Sequence, residues 1–150
     1  MKRAAVRLLL THPFELLIAA WSLLAGVPIA FGVRLSTNAS THLHGVLFNA
    51  WGVTLALSGV TIIAGLFVFF LSTNEIRRVV GLRVEQCGWT LMVCGVAVFA
   101  SVIVSLGVQG AVYSAMTYAT LIAAGALRIA SLGKAARAYK RVIRDVFHNS

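Results

Sequence analysis

The sequence predicts an all-α integral membrane protein, a four-helix bundle that forms a single membrane domain over residues 1–150. Two compositional observations support this fold class: 59% of the 150 residues are hydrophobic and only 11% are charged, whereas soluble domains usually contain about 25% charged residues. The mean hydropathy is +0.90. The charges also lie in short clusters between long uncharged runs, and about 20 apolar residues suffice for a helix to cross a bilayer core.

The first two transmembrane helices are predicted over residues 13–33 and 45–71. Pro13 suits the first position of a helix, and Glu15 lies in the first turn, where the helix dipole favours an anion. Residues 45–71 contain no charged side chain and therefore form the second predicted crossing. The loop between the two helices is polar and rich in turn-forming residues.

A longer uncharged run covers residues 86–127. A single helix of that length would extend about 63 Å, twice the thickness of the bilayer core, so the run must fold back on itself. Gly107 and Gly110 mark the break. The third and fourth helices are therefore predicted over residues 86–107 and 111–132, with a charged loop over 72–85 and a tail over 133–150.

The distribution of basic residues predicts the orientation. Eleven of the thirteen Lys and Arg residues precede helix one, lie between helices two and three, or follow helix four. Arg34 stands in the opposite loop, and Arg128 lies within helix four. Because Lys and Arg are enriched in cytoplasmic loops, both termini are predicted to be cytoplasmic.

The tail continues at helical spacing as a basic amphipathic helix. We expect it to contact the anionic lipids of the inner leaflet through Lys134, Arg137, Lys140, Arg141 and Arg144. The net charge of +9 does not indicate a nucleic-acid partner, since the basic residues lack a folded soluble platform.

Arg128 is the one arginine within an apolar segment. Folding the hairpin at residues 109–110 places Arg128 level with Leu91 and Glu85 level with Lys134, and the Arg128 side chain can extend towards the inner surface and Glu85. An Arg128–Glu85 or a Lys134–Glu85 contact is therefore predicted, with Glu15 as the competing partner. Intramembrane charge often marks an ion or proton pathway. We prefer the simpler interpretation of an arginine at the membrane interface.

Small and hydroxyl residues recur at spacings of three and four, which places them on one face of each helix. They are Thr54, Ser58 and Thr61 in helix two, Thr90, Cys94, Ser101 and Ser105 in helix three, and Ser114 and Thr117 in helix four. A further repeat in helix three consists of Gly81, Gly88 and Gly95. Close helix packing explains such faces; a weakly polar lumen between assembled copies is the alternative.

No motif indicates catalysis, a cofactor or a metal. His42 and His44 have no Cys, Asp or Glu nearby, whereas a zinc site needs three or four ligands. The chain contains only four acidic residues, and no glycine-rich phosphate loop, GxSxG or HExxH motif is present. We therefore expect no enzyme activity and no cofactor.

Three short stretches resemble a known class of protein: Leu-Thr-His-Pro-Phe-Glu at 10–15, Arg-Val-Glu-Gln-Cys-Gly at 83–88, and Ala-Leu-Arg at 126–128 before the basic tail. In these stretches the chain resembles the small, holin-like four-helix membrane proteins of tailed phages of actinobacteria. The resemblance implies a multi-pass protein of the bacterial host's inner membrane that oligomerises and permeabilises it. A structural or interaction subunit of a virion or membrane complex is the alternative.

Overall fold

The computed structural model describes residues 12–33, 45–105 and 111–148, with side chains described for all of these except 111–114 and 145–148. Within these ranges the chain forms four helices: α1 (Pro13–Ala30), α2 (Gly45–Leu71), α3 (Glu75–Ser105) and α4 (Ala111–His148). Each contains an apolar window long enough to cross a membrane, with mean hydropathies of 1.6, 2.3, 2.2 and 1.4. The predicted all-α fold with four helices of membrane-spanning length is confirmed.

The helices pack in chain order, α1 against α2, α2 against α3 and α3 against α4. The centre of the core consists of fully buried side chains of α2 and α3: Leu55, Ile62, Leu66, Trp89 and Met92. The membrane-spanning window of α4 is only 11% buried, compared with 39% for α3. A large part of the α4 surface is therefore uncovered in a single copy of the chain.

Glycines bring the backbones of the first three helices close together. A Cβ added to Gly59 of α2 would lie 2.7 Å from the carbonyl oxygen of Ala19, and one added to Gly88 of α3 would lie 2.7 Å from the backbone nitrogen of Ile62. Only glycine fits at such distances. Close backbone packing of this kind drives helix association in lipid, and the buried face of α3 contains all three repeat glycines, Gly81, Gly88 and Gly95.

Helix α1 ends at Ala30, which corrects the predicted end at residue 33. Gly32 has a φ of 83°, and its N–H donates to the carbonyl of Ile29 at 2.9 Å. The N–H of Val33 donates to the carbonyl of Pro28 at 2.9 Å. These two bonds form a Schellman motif, which ends a helix on a left-handed glycine. The loop that contains His42 and His44 lies outside the described residues.

Helix α3 begins at Glu75, which corrects the predicted start at residue 86 and removes most of the predicted loop over 72–85. The side-chain oxygen of Asn74 accepts a hydrogen bond from the N–H of Ile76 at 2.9 Å and caps the helix. Glu75 then pairs with Arg78 at 2.8 Å. The charged residues between 75 and 85 mark where the segment leaves the lipid, but the helix begins before that boundary. The distribution of charge therefore could not locate the start of α3. The predicted break at Gly107 and Gly110 lies outside the described residues.

Helix α4 runs unbroken to His148, which corrects the predicted end at residue 132 and the separate tail helix. Leu132 and Ala136 are buried and continue the packing face of α4 past the predicted end. The ring of Tyr139 then meets the edge of Phe69 of α2 at 6.2 Å. The helix therefore continues because its first tail turns pack against the α2–α3 hairpin.

Candidate functional site

Arg128 of α4 lies among polar side chains from α1, α3 and the residue before α1. Its Nη2 and Nε atoms lie 2.7 and 3.0 Å from Oε1 of Glu85, and its Nη1 lies 3.1 Å from Oε1 of Glu15. His12 Nδ1 lies 3.2 Å from Oε1 of Glu15 and 3.5 Å from Nη2 of Arg128. We refer to these four residues as the charge cluster.

Local sequence places each acidic member of the cluster. Pro13 begins α1 directly after His12, so Glu15 lies in the first turn of that helix. Glu85 lies on the buried face of α3, opposite Gly65 of α2, where an added Cβ would be 2.7 Å from the Cα of Glu85. Because Gly65 has no side chain, α2 covers Glu85 and leaves only 1% of its side chain exposed.

The charge cluster links α4 and α3 to α1, a helix that otherwise packs mainly on α2. A buried carboxylate without a partner would cost several kcal/mol, and the two hydrogen bonds from Arg128 to Glu85 offset that cost because both are charge-assisted. Glu15 and Arg128 are 14% and 23% exposed, so the cluster lies just inside the protein surface. The cluster thereby joins α1, α3 and α4 at one end of the molecule.

A half-open cleft of about 260 Å³ lies beside the charge cluster. Glu85 and Arg128 form part of its wall, and most of the remainder is apolar. Phe70 of α2 contributes to this wall and contacts the edge of the His12 ring at a centroid distance of 5.5 Å. Since both carboxylates already bind Arg128, the cleft presents an apolar surface beside paired charges.

The charge cluster consists of ion pairs, and the predicted Arg128–Glu85 contact is one of them. Arg128 binds Glu85 as expected, and the competing partner Glu15 binds the same guanidinium. Lys134 is exposed and makes no ion pair with Glu85 within the described part of the chain. Among the residues that the structure describes, no group of three His, Cys, Asp or Glu side chains is placed to hold a metal ion.

The predicted hydroxyl faces lie on different surfaces. In α2, Ser58 is fully buried, and Thr54 and Thr61 are partly buried. Each donates a hydrogen bond to a carbonyl of its own helix three or four residues earlier. These three residues therefore lie within or beside the packed interior, and their hydroxyl groups need no partner from another helix.

The corresponding set in α3 faces outward, and all of its members are exposed: Thr90, Cys94, Ser101 and Ser105. The hydroxyl of Thr90 donates to the carbonyl of Gln86 at 2.9 Å, and that of Ser101 donates to the carbonyl of Ala97 at 2.8 Å. In α4, Thr117 is exposed, whereas the side chain of Ser114 lies outside the described part. The hydroxyl faces of the three helices therefore do not converge on one internal lumen.

The basic residues of the predicted tail are all exposed along the last part of α4: Lys134, Arg137, Lys140, Arg141 and Arg144. The α2–α3 turn, by which we mean residues 72–83 including the first helical turns of α3, lies at the same end of the molecule, because Tyr139 of α4 packs against Phe69 near the end of α2. This turn contributes Arg77, Arg78 and Arg83. One end of the molecule therefore carries a concentrated positive charge.

No role was predicted for His12 from the sequence, although its ring contacts both Glu15 and Arg128 in the charge cluster. The available signal was the spacing of three between His12 and Glu15 across a helix that begins at Pro13. At this spacing two side chains lie on one face of the first turn.

Comparison of the chain with protein-family models, with curated proteins and with solved structures found no match.

Proposed function

We propose that the chain is a multi-pass protein of a bacterial inner membrane that self-assembles laterally and permeabilises the bilayer in the manner of a holin. The observation that carries this proposal is the outer surface of α3, where weakly polar side chains are exposed within a segment otherwise suited to lipid: Thr90, Cys94, Ser101 and Ser105. Small residues at such a surface allow a second helix to approach closely. This surface is therefore suited to contact another copy of the chain.

Helix α4 offers a second small-residue surface, formed by the exposed side chains of Ala119, Ala123, Ala126 and Ala130. A contact between the α3 surface of one copy and the α4 surface of the next uses two different surfaces. Such a heterologous contact repeats from copy to copy and produces a closed ring or an open chain. The low burial of α4 in a single copy supports this mode of assembly.

The permeable path in this proposal lies between copies, because the interior of one copy is filled. Leu55, Ile62 and Trp89 are fully buried at the centre, and the glycine contacts hold the backbones of α1, α2 and α3 together. The outward hydroxyls of α3 bond to their own helix and retain free lone pairs. These hydroxyl groups can therefore face lipid, a neighbouring helix or water. The proposed assembly of copies, followed by the opening of a path between them, requires all three environments.

The proposed orientation has both termini in the cytoplasm. The exposed basic residues of the α2–α3 turn and of the end of α4 lie at one end of the molecule, and the positive-inside rule assigns that end to the cytoplasm. At the cytoplasmic end, the basic residues of α4 that lie close to the inner leaflet contact its anionic headgroups.

Inducible expression in a bacterial host tests the proposal, with viability and membrane potential followed over time. We expect abrupt depolarisation after a lag in which copies accumulate. Ser101→Leu places a bulky side chain on the outward face of α3 and should lengthen the lag or abolish depolarisation. Val98→Leu is the matched control, because Val98 is exposed on the same helix at a position that is already apolar. Harmless accumulation of the unmodified chain would overturn the proposal.

The second candidate is a structural or interaction subunit of a virion or membrane complex, without pore activity. The unbroken α4 favours it, because residues 140–148 extend beyond the Tyr139–Phe69 contact at the end of α2. This extension exposes Lys140, Arg141 and Arg144 to a partner with an acidic surface. A defined oligomer that accumulates without depolarisation, or recovery of the chain in purified particles, would support this candidate over the first.

A further inference from the structure

We propose that the α2–α3 turn binds a phospholipid with an anionic headgroup from the leaflet at that end of the molecule. The proposed site is an open groove of about 360 Å³, lined by Phe67, Val68, Leu71, Ser72, Thr73 and Arg77. The three residues from α2 form an apolar wall, and the three that follow supply two hydroxyl groups and a guanidinium. A lipid that lies across the membrane boundary presents matching chemistry, with acyl chains on one side and a phosphate on the other.

The two adjacent arginines of the turn differ in their partners. Arg78 donates from Nη1 to Oε1 of Glu75 at 2.8 Å and from Nε to the carbonyl of Ser72 at 3.1 Å. Arg77 is exposed and makes no ion pair or hydrogen bond within the part of the chain that the structure describes. Because a guanidinium can bind two phosphate oxygens at once, Arg77 is the available anion ligand.

The turn is held in one conformation before any ligand binds. The Arg78 side chain closes a loop between Ser72 and Glu75, and Asn74 caps the first turn of α3 at 2.9 Å. A rigid turn of this kind loses little conformational entropy when it binds a ligand. The hydroxyl groups of Ser72 and Thr73 line the same groove as Arg77 and can donate hydrogen bonds to a bound phosphate.

The groove lies at the depth where lipid headgroups meet acyl chains. Gly81 of α3 packs at the level of Phe69, since an added Cβ would lie 2.6 Å from the backbone nitrogen of Phe69. Arg83 is exposed two residues further along α3, near the level of Phe67. The long side chain of Arg83 can extend from that level towards the headgroups, so Phe67 lies beside acyl chains. Arg77, six residues nearer the start of α3, then lies at the level of the phosphates.

The charge of the turn selects an anionic lipid. Beside the groove, Arg77 and Arg78 are opposed by Glu75 alone among the described residues, because Glu85 is occupied by Arg128. A zwitterionic lipid would leave this positive charge uncompensated, and anionic headgroups are attracted to basic residues at the membrane surface. A free phosphate would leave the apolar wall of the groove uncovered.

Native mass spectrometry of the full chain in neutral detergent, titrated with phosphatidylglycerol, tests the proposal. Arg77→Gln should weaken binding of the first lipid about fivefold, the effect expected from one basic residue at a membrane surface. Arg83→Gln is the matched control, because Arg83 is exposed on the same helix, does not line the groove and donates to Gln86 at 2.6 Å. It should leave the affinity unchanged, and phosphatidylcholine should bind weakly to every variant.

A photoactivatable phosphatidylglycerol with a diazirine in its acyl chain gives an independent readout in vesicles. We expect cross-links to concentrate within residues 67–73. Equal losses of affinity for the two arginine variants, or cross-links spread evenly over the lipid-facing surfaces, would overturn the proposal. Displacement of the lipid by millimolar glycerol phosphate would also overturn it, because the groove would then bind a phosphate without the lipid.

Discussion

Replacement of Arg128 by methionine removes the cation of the charge cluster and keeps most of the volume of its aliphatic stem. Glu85, with 1% of its side chain exposed, then loses hydrogen bonds of 2.7 and 3.0 Å from Arg128. Removal of one partner of a buried ion pair costs about 3–5 kcal/mol. Glu15→Gln weakens the two contacts of a partly exposed carboxylate, 3.1 Å to Arg128 and 3.2 Å to His12, and should cost about 1 kcal/mol.

Unfolding in mixed micelles with increasing sodium dodecyl sulfate, followed by the far-ultraviolet circular dichroism of the helices, measures these free energies. Arg83→Met is the matched control, since Arg83 is exposed and bonds to its helix neighbour Gln86; we expect no measurable loss. The double variant Arg128→Met with Glu85→Met should be more stable than Arg128→Met alone, because no unpaired buried charge remains.

A loss below about 1 kcal/mol for Arg128→Met would refute this reasoning, given the cost expected for a buried charge left unpaired. Strictly additive losses in the double variant would refute it as well, because residues in direct contact are expected to couple. Either result would return Arg128 to the simpler interpretation of an arginine at the membrane interface.

The remaining predictions concern packing, the continuity of α4 and topology. Gly88→Ala should destabilise the fold by about 1–3 kcal/mol through overpacking, whereas Gly45→Ala should not, because an added Cβ at Gly45 meets nothing within 4 Å. Gly133→Pro should cost about 3 kcal/mol in the same unfolding assay if α4 is continuous there, and Gly133→Ala should not destabilise; equal stability of the two variants would contradict a continuous helix. In a chain without its native cysteines, an impermeant thiol reagent applied to intact cells should label Ser40→Cys and leave Ser150→Cys unlabelled; labelling of Ser150→Cys would overturn the proposed orientation.

The number and type of helices could be predicted because uncharged length is a direct physical requirement of a membrane crossing. For α2 the sequence also predicted both ends, since polar residues flank its uncharged run on both sides. The uncharged run did not predict the start of α3, because the helix extends beyond that run to Glu75 and Asn74 supplies the cap. The uncharged run also did not predict the end of α4, because charge marks the edge of the lipid and a helix can continue through that edge.

The Arg128–Glu85 contact could be predicted because folding the hairpin brings both residues towards the same end of the helix pair, and an arginine side chain can reach along its helix to the carboxylate. The simultaneous contact with Glu15 was expected only as a competitor, although one guanidinium has donors for both carboxylates. The hydroxyl faces show what helical periodicity cannot predict. Helical periodicity groups Thr90 with Ser101 correctly, but it does not reveal that the glycine face of α3 is buried while this one is exposed.

Because α4 is continuous, a movement at one end of this helix is transmitted to the other end. From Gly125, which faces Val93 across the α3 contact, to the end of the helix at His148 the arm measures about 35 Å at the usual helical rise. The described helix contains no proline to act as a hinge. A tilt of about 10° at the Gly125 contact, with loss of the packing of Leu132, Ala136 and Tyr139, would move the basic end by about 6 Å, given that arm length. A force on the positively charged end would in turn reorient the alanine surface that faces neighbouring copies in the membrane.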